Sequence, residues 1–134
     1  FIEVFARRGL VVDFSGSWIL PRIIGVQKAK ELMMTASEIS GTKLNDYGVL
    51  YKLVEKPDLD TELDNLVSLL DKQSFISICM IKDQIRKGLN TNFDESLSNE
   101  TDNQNSRFVH SDVMEGMSAF IEKRQPEYKN TLDE

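Results

Sequence analysis

Apolar residues recur at helical spacing along most of the chain that follows Pro57, and no other pattern constrains the fold as strongly. A first stripe consists of Leu59, Leu63, Leu66, Leu69 and Leu70, and a second of Phe75, Ile78, Cys79, Ile81 and Ile85. Intervals of three and four residues place such side chains on one face of a helix. Ser74 and Gly88 are typical residues for the start and the end of the second helix. We therefore predict two amphipathic helices that pack against each other.

The end of the chain predicts one further helix. Its apolar face is formed by Val113, Met117, Phe120 and Ile121. Asp112 and Glu115 resemble a capping box at its start, and Pro126 lies beyond its end. The polar stretch at 93–108 contains few strong hydrophobic residues, so residue propensity favours a loop there, although their spacing leaves one helical face possible.

The first 54 residues predict short helices between two short strands. Apolar and polar residues alternate at 1–5 and at 49–54, which is typical of strands. Between them, a helix is expected just after Trp18, with Pro21 in its first turn and Gly25 at its end, and a second helix follows. The chain is therefore expected to be mostly α-helical with two short strands.

Charge and cysteine content exclude several classes of function. Lysine and arginine number 16 against 22 aspartate and glutamate residues, and a net charge of −6 argues against binding to a nucleic-acid backbone. No apolar run approaches the roughly 20 residues that would span a bilayer. A single cysteine, Cys79, and a single histidine, His110, can form neither an internal disulfide nor a Cys/His zinc site. We therefore expect no nucleic-acid partner, no membrane partner and no metal.

One segment carries a specific motif. Residues 9–25 read GLVVDFSGSWILPRIIG, which resembles the GLVPDxGGSxxLPRxxG signature of the enoyl-CoA hydratase/isomerase (crotonase) superfamily. Three further stretches resemble the same family in the same order: 28–40, 47–50 and 115–124. Four ordered motifs extend the resemblance over nearly the whole chain, which corresponds to the C-terminal half of the family.

The resemblance implies an α/β fold overall, the ββα superhelix of the crotonases. It assigns residues 1–54 to the C-terminal end of the core and residues 55–134 to a helical region that forms trimers or hexamers. It implies an acyl-CoA thioester substrate, no cofactor beyond the CoA moiety, and a location in the cytoplasm or an organelle matrix. The two backbone N–H donors that stabilise the enolate in this family precede the segment, so this chain alone is expected to be inactive.

Asp13 stands where isomerase branches of the family place a catalytic acid. Flanked by apolar residues, its carboxylate is expected to have a raised pKa and to carry a proton between two carbons. Hydratases use two glutamates, and one of these aligns with Phe5, which cannot ionise. Glu3 is expected to point to the opposite strand face. The resemblance therefore favours an enoyl-CoA double-bond isomerase over a hydratase.

Three alternatives stay open. Asp13 could attack the substrate as the nucleophile of a hydrolase or dehalogenase. The chain could also be a helical oligomerisation module without activity. From the residues alone, the role of an ordinary turn or helix-capping residue is favoured for Asp13, and the family resemblance reverses that preference.

Four other residues are candidate binding residues by resemblance. Phe14 and Trp18 are expected to line the acyl pocket, with a place in the core as the alternative. Phe120 and Lys123 match positions that reach the CoA of a neighbouring subunit in family trimers. Two departures affect the motif: Val12 replaces the usual proline, and Ser15 replaces the first glycine of the pair, which adds a side chain where the backbone must turn closely.

Overall fold

The computed structural model describes residues 1–129; residues 130–134, which end the predicted helical region, lie outside the described part. The chain divides into two compact units, one from Phe1 to Asp58 and the other from Leu59 onward. The first contains α1 (Gly16–Ile24), α2 (Val26–Thr35) and α3 (Gly41–Asp46), with 3₁₀ helices at Val4–Arg8 and Lys56–Asp58. The second contains α4 (Leu59–Asp71), α5 (Phe75–Gly88), α6 (Phe93–Arg107) and α7 (Ser111–Glu122). The mostly helical character is thus confirmed.

Neither predicted strand is formed. A 3₁₀ helix occupies Val4–Arg8, and residues 49–54 have no regular structure. The sheet-like contact among the described residues is one antiparallel bridge between Ile2 and Glu38, beside which the Ile39 N–H donates to the Phe1 carbonyl at 2.9 Å. A strand is stabilised by a ladder of hydrogen bonds to its neighbours, and a single bridge does not supply one. Alternation of apolar residues was therefore not sufficient to form either strand.

The first unit is built on the packing of α1 against α2. Its buried core consists of Leu20, Ile24, Ala29 and Leu32. Gly25 separates the two helices with a φ of +82°, a conformation that glycine adopts without steric cost. Because α1 begins as early as Gly16, Pro21 lies inside the helix and not in its first turn as predicted. The ring of Pro21 removes one backbone donor from the helix interior.

The loop after α2 contains an unusual alanine. Ala36 is fully buried and has left-handed backbone angles, with φ +48° and ψ +41°. It follows Thr35, whose hydroxyl donates to the Glu31 carbonyl at 2.6 Å in the last turn of α2. The chain then continues to the bridge with Ile2, so this tight turn directs it back towards the first residues.

In the second unit, α5 packs chiefly against α6, so the predicted pairing of α5 with α4 is wrong. The polar segment that propensity assigned to a loop forms the fifteen-residue helix α6. Asn92 caps its start by accepting a hydrogen bond from the Glu95 N–H at 2.9 Å, and Asp94 lies in the first turn, where negative charge is favourable. Local capping therefore stabilises a helix that has little apolar surface.

A buried polar network joins the ends of three helices in this unit. The Ser74 hydroxyl donates to the carboxylate of Asp112, and Arg107 Nη2 lies 3.2 Å from the same carboxylate oxygen. The side chains of Arg107 and Asp112 are only 10% and 14% exposed. Breaking such a buried pair by removing one partner typically costs about 3–5 kcal/mol. The network therefore fixes the start of α5 and the start of α7 against the end of α6.

Candidate active site

Asp13 lies at the start of a tight turn that leads into α1. The Gly16 N–H donates to the Asp13 carbonyl at 2.9 Å, which closes the turn. Both residues between them have positive φ angles, +47° for Phe14 and +61° for Ser15. Two positive φ angles under such a hydrogen bond are typical of the type I′ turn, which favours Asn-Gly. Non-glycine residues in this conformation cost about 1–2 kcal/mol each, so the backbone beside Asp13 is strained.

The sequence departures in the motif fall on this turn. Ser15 replaces the first glycine of the family pair, and its positive φ shows that the position suits glycine. At Gly16, by contrast, glycine is required by close approach: an added Cβ would lie 2.7 Å from Cγ1 of Val12. Valine is stiff about χ1, so it cannot easily move away from such a contact. The expected difficulty at Ser15 is therefore confirmed, and Val12 packs against the second glycine.

The predicted apolar enclosure of Asp13 is not formed by its neighbours in this chain. Asp13 is exposed, and so are Val11 and Phe14, the latter by 93%. Trp18 is partly exposed, and the guanidinium of Arg22 stacks on its ring at 3.8 Å from the centroid. Arg22 also donates to the Trp18 carbonyl at 2.9 Å, which fixes the cation over the ring. Phe14 and Trp18 are thus both accessible to a ligand or to another part of the protein.

The predicted orientation of Glu3, on the opposite face of a strand, is wrong. Without a strand, alternation does not direct its side chain away, and it is instead 8% exposed, just before the first 3₁₀ helix. Burial, and after it the negative charge of Asp13, raise the pKa of the Glu3 carboxyl. The alternation at 1–5 did not predict this burial, because it assumed a strand that is not formed.

Lys123 lies at the end of α7 in a Schellman motif. Its N–H donates to the Phe120 carbonyl at 3.3 Å, and the Arg124 N–H donates to the Ala119 carbonyl at 3.0 Å. Lys123 itself has a φ of +56°, in the position that this motif usually gives to glycine. Phe120 is 81% exposed, so the predicted CoA-binding pair presents its aromatic ring to solvent.

Two other features of the described residues are poorer candidates. A surface cavity of about 220 Å³ in the first unit is lined by Lys28, Ser37, Lys43 and Tyr47 among others, and contains none of the predicted site residues. In the second unit, Ser74, Asp112 and His110 lie together, but the serine hydroxyl donates to the aspartate and the imidazole Nδ1 accepts from the Asp112 N–H at 3.5 Å. That order differs from a nucleophilic triad, in which the imidazole accepts from the serine.

No group of three or more potential metal-ligating side chains occurs among residues 1–129. Within the same residues, no helix combines the length and the apolar character needed to cross a membrane.

Comparison with known protein families places residues 1–131 within the family described as enoyl-CoA hydratase/isomerase. The chain belongs to the enoyl-CoA hydratase/isomerase family. The resemblance inferred from the motifs is therefore confirmed. Since this family consists of enzymes, the chain derives from an enzyme family.

Individual members of the enoyl-CoA hydratase/isomerase family are similar over almost the whole chain. The trans-2-decenoyl-(acyl-carrier-protein) isomerase of Streptococcus mutans is 31% identical over 128 residues, covering 96% of this chain and 49% of that protein. The 1,2-epoxyphenylacetyl-CoA isomerase of Escherichia coli is 29% identical over the same length, with 96% and 49% covered. The chain thus spans about half the length of the curated relatives it matches.

A solved structure gives the same result for the fold. The crystal structure of an enoyl-CoA hydratase from Polaromonas sp. JS666 superposes with a TM-score of 0.91 and 29% identity, covering 96% of this chain and 50% of that one. This chain therefore has the fold of about half of a crotonase and is mostly helical, whereas the two short strands are not confirmed. The role of the helical region in oligomerisation stays a prediction. Relatives named as isomerases and as hydratases both occur, so the family comparison alone leaves the reaction open.

Proposed function

We propose that the protein containing this chain is an enoyl-CoA double-bond isomerase in which Asp13 carries the proton. The observation that carries the proposal is the placement of Asp13, an exposed carboxylate at the start of a strained turn. The family resemblance adds that the non-ionisable Phe5 corresponds to a glutamate of the hydratases. Strained backbone clusters at functional sites, where the surrounding structure maintains it. Similarity to the protein named as a trans-2-decenoyl-(acyl-carrier-protein) isomerase supports migration of a double bond.

In this reaction the Asp13 carboxylate takes a proton from a carbon next to the carbon–carbon double bond. The electron pair of the broken C–H bond moves into the conjugated system and places negative charge on the thioester oxygen. The neutral carboxyl then returns the same proton to a carbon at the other end of that system. General acid–base catalysis of this kind contributes about 10²–10⁴-fold.

The enolate oxygen needs preorganised hydrogen-bond donors, and loss of one typically costs about 10²–10³-fold in rate. The family resemblance assigns these donors to no residue of this chain. We therefore expect the 134-residue chain alone to turn over no enoyl-CoA, while the protein that contains it is active.

Binding of the substrate is assigned to four further residues within this proposal. Phe14 and Trp18 are accessible apolar surfaces close to Asp13 in sequence, as acyl-pocket walls must be. Phe120 and Lys123 would contact the CoA moiety, with the lysine meeting a phosphate as a point charge. No cofactor beyond that CoA is needed for proton transfer, and a cytoplasmic or organelle-matrix location fits such a substrate.

A homo-oligomer, trimer or hexamer, belongs to the same proposal. Large apolar side chains are exposed on α4 and α7, including Leu63, Leu70, Met117 and Phe120. Large apolar side chains exposed in such number are typical of an interaction site in a soluble protein. Sedimentation of the whole protein should give a trimer or a higher species, and a stable monomer would contradict this part of the proposal.

Substitution of Asp13 tests the reaction directly. Asp13→Asn keeps the shape of the side chain but removes the base, so kcat for 3-enoyl-CoA isomerisation should fall by about 10²-fold or more while KM stays nearly constant. Asp46→Asn, an exposed aspartate of the same unit, is the matched control and should leave kcat unchanged. Normal kcat in Asp13→Asn would remove Asp13 from the mechanism.

The products formed from an enoyl-CoA distinguish an isomerase from the alternative functions. An isomerase shifts the double bond without adding water, whereas a hydratase incorporates oxygen from ¹⁸O-labelled water into a hydroxyacyl-CoA. With Asp13 as nucleophile, a hydrolase would form a mixed anhydride on its carboxylate with release of the CoA thiolate, and a dehalogenase would form an aryl ester with release of halide; mass spectrometry would detect either adduct. An oligomerisation module without activity would give none of these products.

A further inference from the structure

Arg22 makes two contacts with the same residue, Trp18, which lies one turn before it in α1. Its guanidinium carbon is 3.8 Å from the centre of the indole ring, which is van der Waals contact distance. Its Nη1 donates to the Trp18 carbonyl at 2.9 Å. Among residues 1–129, no carboxylate forms an ion pair with Arg22. The position of this charged side chain is therefore explained by its contacts with one tryptophan.

The backbone of Trp18 is joined to the turn that starts at Asp13. The Gly16 N–H donates to the Asp13 carbonyl at 2.9 Å, and the Trp18 N–H donates to the Ser15 carbonyl at the same distance. These hydrogen bonds fix the backbone of the tryptophan relative to Asp13. They do not fix the indole ring, which can still turn about two side-chain torsions. The contact with Arg22 restricts that rotation.

The guanidinium covers one face of the indole ring. Trp18 is nonetheless 38% exposed, so part of this residue remains accessible to a ligand. A guanidinium suits this role, since it is planar and stacks on an aromatic face while its donors reach a nearby carbonyl; the compact ammonium of a lysine does not combine the two. Trp18 thus presents an apolar surface whose orientation is set by the arginine.

We propose that Arg22 is a positioning residue for the acyl pocket, which acts through Trp18 and makes the site discriminate between unbranched and branched acyl groups. This inference rests on the proposed function, in which Trp18 is a wall of that pocket. A ring held at a fixed angle accepts an extended chain along its accessible surface at van der Waals distance. It cannot turn aside to admit a methyl branch, whereas an unrestrained ring can. The discrimination therefore depends on the guanidinium and not on the indole alone.

The test is the ratio of kcat/KM for an unbranched 3-enoyl-CoA to that for an analogue with a methyl branch beyond the double bond, measured on the whole protein. Arg22→Met keeps a similar side-chain length but removes the cation and the donors. It should lower this ratio about twofold to fivefold, the factor that corresponds to an exposed cation–ring contact. Arg8→Met, at an exposed arginine of the first 3₁₀ helix, is the control and should keep the wild-type ratio. An unchanged ratio in Arg22→Met would contradict the inference.

A double-mutant cycle separates action through Trp18 from a direct effect of the arginine charge on the substrate. In a Trp18→Leu background there is no ring to hold, so Arg22→Met should leave the ratio unchanged. An equal fall of the ratio in both backgrounds would overturn the inference, because Arg22 would then act without the ring.

A second readout does not depend on turnover. Trp18 is the single tryptophan of the 134-residue chain, and the difference in fluorescence between the whole protein and its Trp18→Leu variant isolates its emission. Arg22→Met should raise the quenching of that emission by acrylamide, because one face of the ring loses its cover. Unchanged quenching overturns the inference and leaves the proposed function of Asp13 in place. Normal kcat in Asp13→Asn removes the proposed proton carrier, whereas the role of Arg22 is still decided by the ratio and by the quenching.

Discussion

The guanidinium of Arg124 binds both carboxylate oxygens of Glu115, with N–O distances of 2.6 and 2.9 Å. Arg124 also contacts Glu122 at 2.6 Å, and the Glu127 N–H donates to Glu115 at 2.8 Å. In the sequence, Lys123 lies between Glu122 and Arg124, and its backbone has the left-handed conformation. The ion pair therefore holds the backbone on both sides of the residue that we assign to CoA.

Because of this ion pair, the free energy of unfolding should depend on pH in the acidic range. Hydrogen bonds from Arg124 and from the Glu127 N–H lower the pKa of Glu115 from 4.5 to about 2. A depressed pKa in the folded state means that the stabilisation is present above pH 4.5 and is lost as pH falls towards 2. Glu115→Gln should thus weaken the pH dependence of the free energy of unfolding in this range.

The measurement for Glu115 is denaturant unfolding of the whole protein at a series of acidic pH values. Glu100→Gln, an exposed glutamate of α6, is the matched control and should retain the wild-type pH dependence. If Glu115→Gln and the wild type lose stability in parallel between pH 4.5 and about 2, the ion pair contributes nothing to stability in acid.

Substitutions of Lys123 should separate stability from binding. Lys123→Gly suits the left-handed backbone, so it should raise the free energy of unfolding by about 1 kcal/mol while weakening CoA-thioester binding. Lys123→Ala removes the same ammonium group but keeps the backbone strain. It should therefore weaken CoA-thioester binding as much as Lys123→Gly does, without raising the free energy of unfolding. Binding energy that is equal in ground and transition states changes KM more than kcat. Thermal unfolding and steady-state kinetics of both variants check this; unaltered KM in the two would exclude a CoA contact.

Relief of strain at Ser15 gives a further test. Its φ of +61° predicts that Ser15→Gly stabilises the protein by about 0.5–1 kcal/mol, the left-handed cost less the greater entropy that glycine loses on folding. Ser15→Ala keeps the strain and serves as the comparison. Chemical denaturation of both variants measures the difference, and equal midpoints would show that the turn is unstrained in solution.

The sequence predicted those parts of the structure that local periodicity determines. The helices α4, α5 and α7 follow from apolar stripes, and Ser74 caps α5 as expected, by accepting from the Ser77 N–H. The capped helix α6 was not predicted, because its stability depends on Asn92 and its end residues and less on an apolar face. The prediction of two strands was wrong because a strand needs pairing partners from other parts of the chain, which local periodicity does not reveal.

At the candidate site, the motif located Asp13 and the position where glycine is preferred, since both depend on a short stretch of backbone. The burial of Glu3 was missed because it results from packing between segments that are separate in the sequence. The exposure of Phe14 was missed for the same kind of reason: an apolar residue beside an acid indicates a pocket only when other segments complete it.

Ala36 restricts how the loop between α2 and α3 can vary among related proteins. Its left-handed backbone favours glycine, and its complete burial leaves no room for atoms beyond a methyl group. A saturation library at this position should therefore recover alanine and glycine and lose the larger residues. A homologue with a bulky side chain there would have to follow a different path between α2 and α3, so the size of this one residue indicates which family members share the loop.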